Sequence, residues 1–499
     1  MRTLHADHLL QRLQCETEGA LHHRLFICLR AAIVEGVWLP NSRLPATRDL
    51  AQELSVSRNT VINAYEHLLA EGYVSARIGS GTRVAATLPE SYLNAAKMPF
   101  NEQGDDVKNV TLSRRGVDLL NAAGVSPHQW GAFVPGVPDV TQFPHALFSR
   151  LYAKFSRAPD HERLIYDNQG GCEVLRTTLA DYLRETRSVR CDAEQILITE
   201  GVHQAVDLVS RMLCDIGDRA WIEDPCYWGI RNIMRINGLD VISMPVDHEG
   251  MNPDPDVEKA PPRIIMVTPS HQYPLGSHLS LARRRQLLEM ARRYQSVIVE
   301  DDYDNEFRFS GQPFPSLQGL EADAPVVYIG TFSKTLYPGL RIGYMVVPKT
   351  LIGPLRAAAA ELYRSGHLLV QRTLAEFIIQ GHYAAHIRRM RLLYGRRHAF
   401  LVDLIKRYLG EHFLHEFNQD AGLHLVVKLP QSCDDLAIAS QAVKRGVKVR
   451  ALSPYYWQTQ QQPQRGLILG FACVEEKAMF DALCTLRNCL LDAGVSIDK

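Results

Sequence analysis

The sequence predicts a multidomain chain: a small α+β head, then a large α/β domain with a mixed, mostly parallel sheet and a smaller α+β subdomain at its end. Three observations lead there. Apolar residues recur at helical spacing between Leu21 and Glu71 and are followed by two short β-prone runs around Gly79-Ser80-Gly81. A stretch with little periodicity, 87–111, contains Pro89, Pro99, Gly104 and the acidic pair Asp105-Asp106. Beyond it, helical stretches alternate with short apolar runs, the pattern of a parallel sheet covered by helices.

Within the head, Leu21, Leu25, Leu29, Ala32 and Ile33 form the stripe of a first helix that Gly36 stops. Pro40 and Pro45 bracket a loop, and Ala46 to Leu54 gives a second helix with Leu50, Ala51 and Leu54 on one side. After a tight turn at Ser55-Val56, Ser57 can cap a third helix, Arg58 to Glu71, whose stripe is Val61, Tyr65, Leu68 and Leu69. Arg58, Asn59 and Asn63 are left on its other face. Tyr73 to Val84 has the composition of a hairpin. Three helices and a hairpin make a winged helix-turn-helix, bounded at 18–86.

The large domain, 112–499, offers apolar runs at Gln195 to Thr199, Ala220 to Ile222, Arg263 to Val267, Ser296 to Val299, Val326 to Ile329 and Gly343 to Val347. From about 366 the chain is helix-rich, with strand-like runs at Leu423 to Val427 and Leu467 to Phe471, which suggests the smaller subdomain.

Bulk properties narrow the function classes. The 499 residues are 46% hydrophobic, enough for several cores, and Lys+Arg and Asp+Glu balance at 55 each. No global field favours nucleic acid or membrane, so any DNA contact must be local. The ten cysteines lack the CxxC pairs of a zinc site, so no metal is expected, and they read as reduced thiols of a cytoplasmic protein. Neither a signal peptide nor an apolar run long enough to span a membrane is evident.

The richest segment is Gly330-Thr331-Phe332-Ser333-Lys334-Thr335-Leu336-Tyr337-Pro338-Gly339-Leu340-Arg341-Ile342-Gly343, directly after an apolar strand. It sets a lysine in a turn, where a desolvated amine can be neutral and attack an aldehyde to form a Schiff base. Thr331, Ser333 and Arg341 supply donors for a phosphate dianion. Pyridoxal 5'-phosphate needs both, and also an acid to keep its pyridine nitrogen protonated. Asp301 meets that need from the end of a buried strand, at the carboxyl edge where α/β sheets bind ligands. Tyr303 can hydrogen-bond the ring's phenolic oxygen, Gly201, Val202 and His203 offer N–H groups to the phosphate, and Tyr227 can stack on the ring. His271 and Cys226 read as packing or polar filler.

In the head, Leu44-Pro45-Ala46-Thr47-Arg48, Leu50-Ala51, Val56-Ser57-Arg58-Asn59-Thr60-Val61 and Gly79-Ser80-Gly81-Thr82 resemble the GntR winged-helix domain. The start of the third helix gathers N–H groups, Arg58 and the hydroxyls of Ser57 and Thr60 where phosphates and major-groove base edges would lie. Arg48 is placed to hold the DNA backbone. Arg77, Gly79 and Gly81 are similar to a wing that enters the minor groove, a role the resemblance implies. The span Leu21 to Val84 holds seven arginines and no lysine against five acids, too small an excess for one head to bind tightly, which favours a dimer on a two-part double-stranded operator.

The large domain resembles fold-type-I aminotransferases over about Leu112 to Leu491. It does so through Tyr166-Asp167-Asn168-Gln169-Gly170, Thr268-Pro269-Ser270-His271-Gln272-Tyr273-Pro274 and the lysine segment. With the head, the whole chain resembles the MocR/GabR group of GntR regulators. That resemblance implies an imine on Lys334, Asp301 as the pyridine partner and a head-to-tail homodimer. One departure matters. Where aminotransferases carry an arginine that grips the substrate carboxylate, this chain has Ile468, and Arg465 is out of register. Tyr273-Pro274-Leu275-Gly276 likewise replaces Asn-Pro-Thr-Gly. The expected function is therefore a regulator that senses pyridoxal phosphate, or an amine or amino-acid effector, through Lys334, rather than an enzyme. The alternatives are an active aminotransferase tethered by its head and a cofactor-free dimerisation scaffold.

Overall fold

The computed structural model describes residues 9–13, 19–77, 81–86, 111–122, 124, 129–157, 165–253, 261–311, 314–364, 366–417, 421–457 and 463–497. The chain forms two compact units, Met1–Thr111 and Leu112–Lys499.

In the first unit, helices α1 (Leu21–Val34), α2 (Thr47–Leu54) and α3 (Arg58–Ala70) precede a hairpin of β1 (Val74–Arg77) and β2 (Gly81–Val84). Ser55 ends α2 in the left-handed conformation, at φ 54°, which turns the chain tightly into α3. Ser57 then caps α3, its Oγ accepting from the Thr60 N–H at 3.1 Å. Leu25, Leu29, Leu50, Val61 and Leu68 fill the core, so all three helices bury the stripes that their spacing predicts. The loop before α2 runs alongside the hairpin: Arg43 bridges to Arg83, and Leu44 N–H donates to the Thr82 carbonyl at 2.9 Å. The wing tip with Gly79, the Arg77 side chain, the interdomain stretch 87–110 and most of the Gln-rich loop lie outside the described residues.

The second unit is built on an eight-stranded sheet. In chain order its strands are β3 (Ile196–Thr199), β4 (Arg219–Asp224), β5 (Asp240–Asp247), β6 (Gly250–Met251), β7 (Ile264–Val267), β8 (Val297–Asp301), β9 (Val326–Thr331) and β10 (Gly343–Val346). In space the order is β3-β10-β9-β8-β7-β4-β5-β6. Five strands from β9 to β5 run parallel; β10 is antiparallel to both β9 and β3, and β6 to β5. Both faces are covered, which explains why strands such as β3, β7 and β9 are buried along their whole length rather than alternately. Leu197, Ile222, Val299, Val327 and Ile329 face α4 (Val202–Leu213), α5 (Trp228–Ile236) and α6 (Ile352–Tyr363). Their neighbours Ile196, Ile198 and Tyr328 face the opposite way, into a cluster with Leu374 and Phe377.

A second sheet, ordered β11 (His424–Lys428), β13 (Gly466–Gly470), β12 (Arg450–Ala451), forms the smaller part. One of its faces packs a small cluster of Val426, Leu452, Tyr455 and Ile468 with Leu275, and the other shares the core of the large part. One apolar cluster runs from Phe143 and Leu175 through Leu374 to Leu469 and Leu490. Phe133 bridges to Gly470, so the beginning of this unit is stitched to its end. Among the described residues no helix is long and apolar enough to cross a membrane, and no His, Cys, Asp and Glu cluster could hold a metal ion.

Candidate functional site

Sheet direction assembles the site. β3, β4, β7, β8 and β9 all end on one edge, and the reversed β10 begins there, with Gly343 opposite both Thr199 and Thr331. A cavity of about 300 Å³ opens on this edge. It is lined by Gly201, Val202, His203, Tyr227, Asp301, Tyr303, Thr331, Ser333, Lys334 and Arg341, so every cofactor residue expected from sequence faces one space. Cys226 lies buried in the sheet core nearby.

Gly201 turns the chain from β3 into α4 at φ 95°, a conformation that a side chain would strain. The turn leaves the first N–H groups of α4, at Val202 and His203, open at the positive end of the helix. A Cβ on Gly201 would lie 3.5 Å from Arg341 Nη1, so the guanidinium stands directly over this turn. One on Gly343 would meet the Gly201 backbone at 2.8 Å, so the two strands approach closely only because both positions are glycine. Together they form a cradle of N–H groups and one arginine, suited to a dianion.

Asp301 is 6% exposed, and among the described residues its Oδ1 has no hydrogen-bond partner. Burial, reinforced by the neighbouring Asp302 carboxylate, pushes it up to about 8; the Lys334 ammonium opposes this. Lys334, just past the end of β9, donates from Nζ to the Gly136 carbonyl at 2.8 Å. Burial lowers its ammonium against the opposing pull of Asp304 and Asp301. Around this pair, Thr331 Oγ1 accepts the Ser333 N–H at 3.1 Å, which tightens the turn carrying the lysine. His203 Nε2 is 3.1 Å from the Tyr227 hydroxyl, and burial, then Arg341 and Lys334, lower the pKa of the imidazole.

Support behind the cavity is polar and buried. Asp302 accepts from Arg187 Nε at 2.8 Å and from the Tyr328 hydroxyl at 2.5 Å, which fixes the end of β8. The Tyr303 hydroxyl is 3.0 Å from His271 Nδ1, which is also 3.0 Å from Asp304 Oδ2. His271 is thus a buried polar link between cavity and core. Sequence reasoning also missed Gly136, Thr268, Trp228, Tyr273 and Arg450 as lining residues. Thr268 was findable: it follows buried β7 as Thr331 closes β9.

On the head, Arg48, Ser57, Arg58, Asn59 and Asn63 are exposed, and Thr60 is half-buried. Ser57 Oγ and Thr60 Oγ1 are 2.8 Å apart, so these hydroxyls satisfy each other at the cap, leaving Arg58, Asn59 and Asn63 as the exposed polar side chains of α3. Arg43 was not expected. Its Nε would be 2.7 Å from a Cβ on Gly81, so the wing's glycine makes room for it.

Comparisons with known proteins agree with both halves. Residues 23–84 match "Bacterial regulatory proteins, gntR family", and 141–479 match "Aminotransferase class I and II". The chain is 37% identical to the probable rhizopine catabolism regulatory protein MocR of Rhizobium meliloti, covering 96% of this chain and 95% of that one. It is 30% identical to the pyridoxine biosynthesis transcriptional regulator PdxR of Corynebacterium glutamicum, over 90% and 92%. Among solved structures, the second unit is similar to kynurenine aminotransferase from Pyrococcus horikoshii, with a TM-score of 0.67 at 25% identity, covering 78% of this chain and 97% of the other.

Proposed function

Because this chain belongs to the MocR-type GntR regulators, in which a winged-helix head precedes an aminotransferase-like domain, we propose that it is a DNA-binding transcription regulator governed by pyridoxal 5'-phosphate, or by an amine or amino acid that competes for it. The observation that carries the reading is the buried Asp301 Oδ1, without a partner among the described residues, in a cavity that also holds a desolvated lysine and an arginine-topped helix start. A buried carboxylate oxygen without a donor is costly, and a protonated pyridine nitrogen would supply that donor.

When bound, the cofactor supplies an aldehyde that reacts reversibly with primary amines. The chain's own residues would divide the remaining work. Gly201, Val202, His203, Thr331, Ser333 and Arg341 hold the phosphate; Asp301 keeps a proton at the pyridine nitrogen; Tyr303 donates toward the phenolic oxygen. Tyr227, hydrogen-bonded to His203, presents an aromatic face. Lys334 presents the amine with which an effector must compete. In the head, Arg58, Asn59 and Asn63 read base edges while Arg48 holds phosphate. The small positive excess of the head supports two copies on a two-part operator, hence a homodimer.

Regulation requires that ligand and DNA favour different states of the protein. The test is the visible spectrum of the purified protein with pyridoxal phosphate, alongside promoter occupancy. Lys334→Ala should abolish the amine-dependent visible band and alter occupancy. Occupancy that stays unchanged and indifferent to ligand would sink the coupling. A working aminotransferase is the second reading, favoured by the same lysine and aspartate; Ile468 in the expected arginine slot weighs against it. Steady turnover of an amino donor with a keto acid would establish it instead.

A further inference from the structure

A cation does reach the place that Ile468 leaves neutral, but from the neighbouring strand. In the antiparallel pairing of β12 with β13, Arg450 stands directly opposite Ile468, and opposed residues project to the same face of a sheet. Ile468 is fully buried, packed with Leu275, Val426, Leu452 and Tyr455. Arg450 is half-buried and lines the cavity that holds Lys334 and Asp301.

Its surroundings are what an anion site needs. Arg450 Nη1 donates to the Gly124 carbonyl at a long 3.5 Å, and Tyr455 forms a second hydrogen bond with the side chain. A guanidinium has more N–H donors than these contacts use. Among the described residues no carboxylate pairs with it; the neutral phenols of Tyr455, Tyr273 and Tyr227 surround it instead. The Tyr273 and Tyr455 hydroxyls, 3.2 Å apart, add hydroxyl donors beside it. The space left beside a cofactor in about 300 Å³ admits only a small molecule.

We infer that Arg450 is the acid anchor for the effector, which is a small amino acid whose carboxylate meets the Arg450 guanidinium while its amine points toward Lys334. The inference rests on the proposed cofactor reading and narrows it: simple amines are poor effectors, and amines carrying a carboxylate are good ones. An arginine held in a partly desolvated site recognises carboxylates through two parallel bonds, an advantage that a lysine at the same position would not reproduce.

The experiment titrates the full-length protein, loaded with pyridoxal phosphate, with ethylamine, alanine and 3-aminopropanoate, following the visible band. The two acids are ethylamine with a carboxylate at different carbons. At least one should half-saturate at a concentration roughly tenfold or more below that of ethylamine, the size of one charge-assisted hydrogen bond. In Arg450→Gln that ratio should fall to about one, and Arg450→Lys should recover part of it. Equal response of the unmodified protein to ethylamine and both acids overturns the assignment, as does an undiminished ratio in Arg450→Gln. Failure of the unmodified protein to form any band overturns the cofactor reading, and this inference with it.

Discussion

Replacing Asp301 by Asn tests the electrostatics of the cavity without the cofactor. In the folded chain this carboxyl titrates near 8, against an ordinary 3.8, because burial penalises its charge. A raised acid destabilises the fold as pH rises: below the ordinary value both states hold the proton, between the two values only the folded state does, and above the folded value the full penalty applies. Asn carries no charge at any pH, so the variant escapes the penalty. The stability of cofactor-free Asp301→Asn relative to its parent should rise by roughly 1.4 kcal/mol per pH unit across this window. Between about pH 5 and pH 7 that amounts to about 3 kcal/mol. Glu300 and Glu306 are also pushed up to about 7, but they are common to both proteins and drop out of the difference, while Glu223, pushed up to about 7 as well, is the last of the charges that raise Asp301. Urea unfolding of both proteins at several pH values measures the gap. A gap that stays constant with pH would refute the account of Asp301 as a buried acid awaiting a cationic partner.

Other perturbations address the scaffold and the head. Gly201→Ala imposes a side chain on a left-handed turn and should cost about 1–3 kcal/mol in thermal unfolding while weakening uptake of pyridoxal phosphate, read by absorbance titration. Asp302→Ala strands the buried Arg187 guanidinium and should cost about 3–5 kcal/mol in urea unfolding. Ser57→Ala removes the α3 cap and should destabilise the head by about 1 kcal/mol, measurable by thermal melting. Arg58→Ala should weaken operator binding by about 1–3 kcal/mol in fluorescence anisotropy, with a smaller effect on the Ser57-dependent melt.

Much of the site was legible because buried parallel strands write themselves as apolar runs, and the polar residue closing each run marks the ligand-binding edge. Asp301 after Val297–Glu300 and Thr331 after Val326–Gly330 stand out in that way. Strand direction was not legible: Gly343-Tyr344-Met345-Val346 reads the same whichever way it runs, so the reversal of β10 emerged only with the fold. β5 hid because Asp240, Ser243 and Pro245 interrupt its apolar pattern. β12 is two residues long, too short for any periodicity, and Arg450 went unnoticed with it. Arg43 owes its place to an isolated bridge between a loop and the wing, a long-range pairing without local signature. His271 sits between Ser270 and Gln272, and nothing in that neighbourhood announces Asp304 and Tyr303 as its partners.

The core that the smaller part shares with the larger one bears on how the chain matures. Phe133 must find Gly470, at the other end of this unit, to hold the segment that carries Gly136 beside Lys334, and that is a contact of high sequence separation. Loop closure over such distances is entropically expensive, so the cavity closes late in folding, after synthesis has passed β13. A ligand held only by the finished cavity stabilises the native population by mass action. Supply of that ligand would then set how many molecules survive to act, alongside what each of them does.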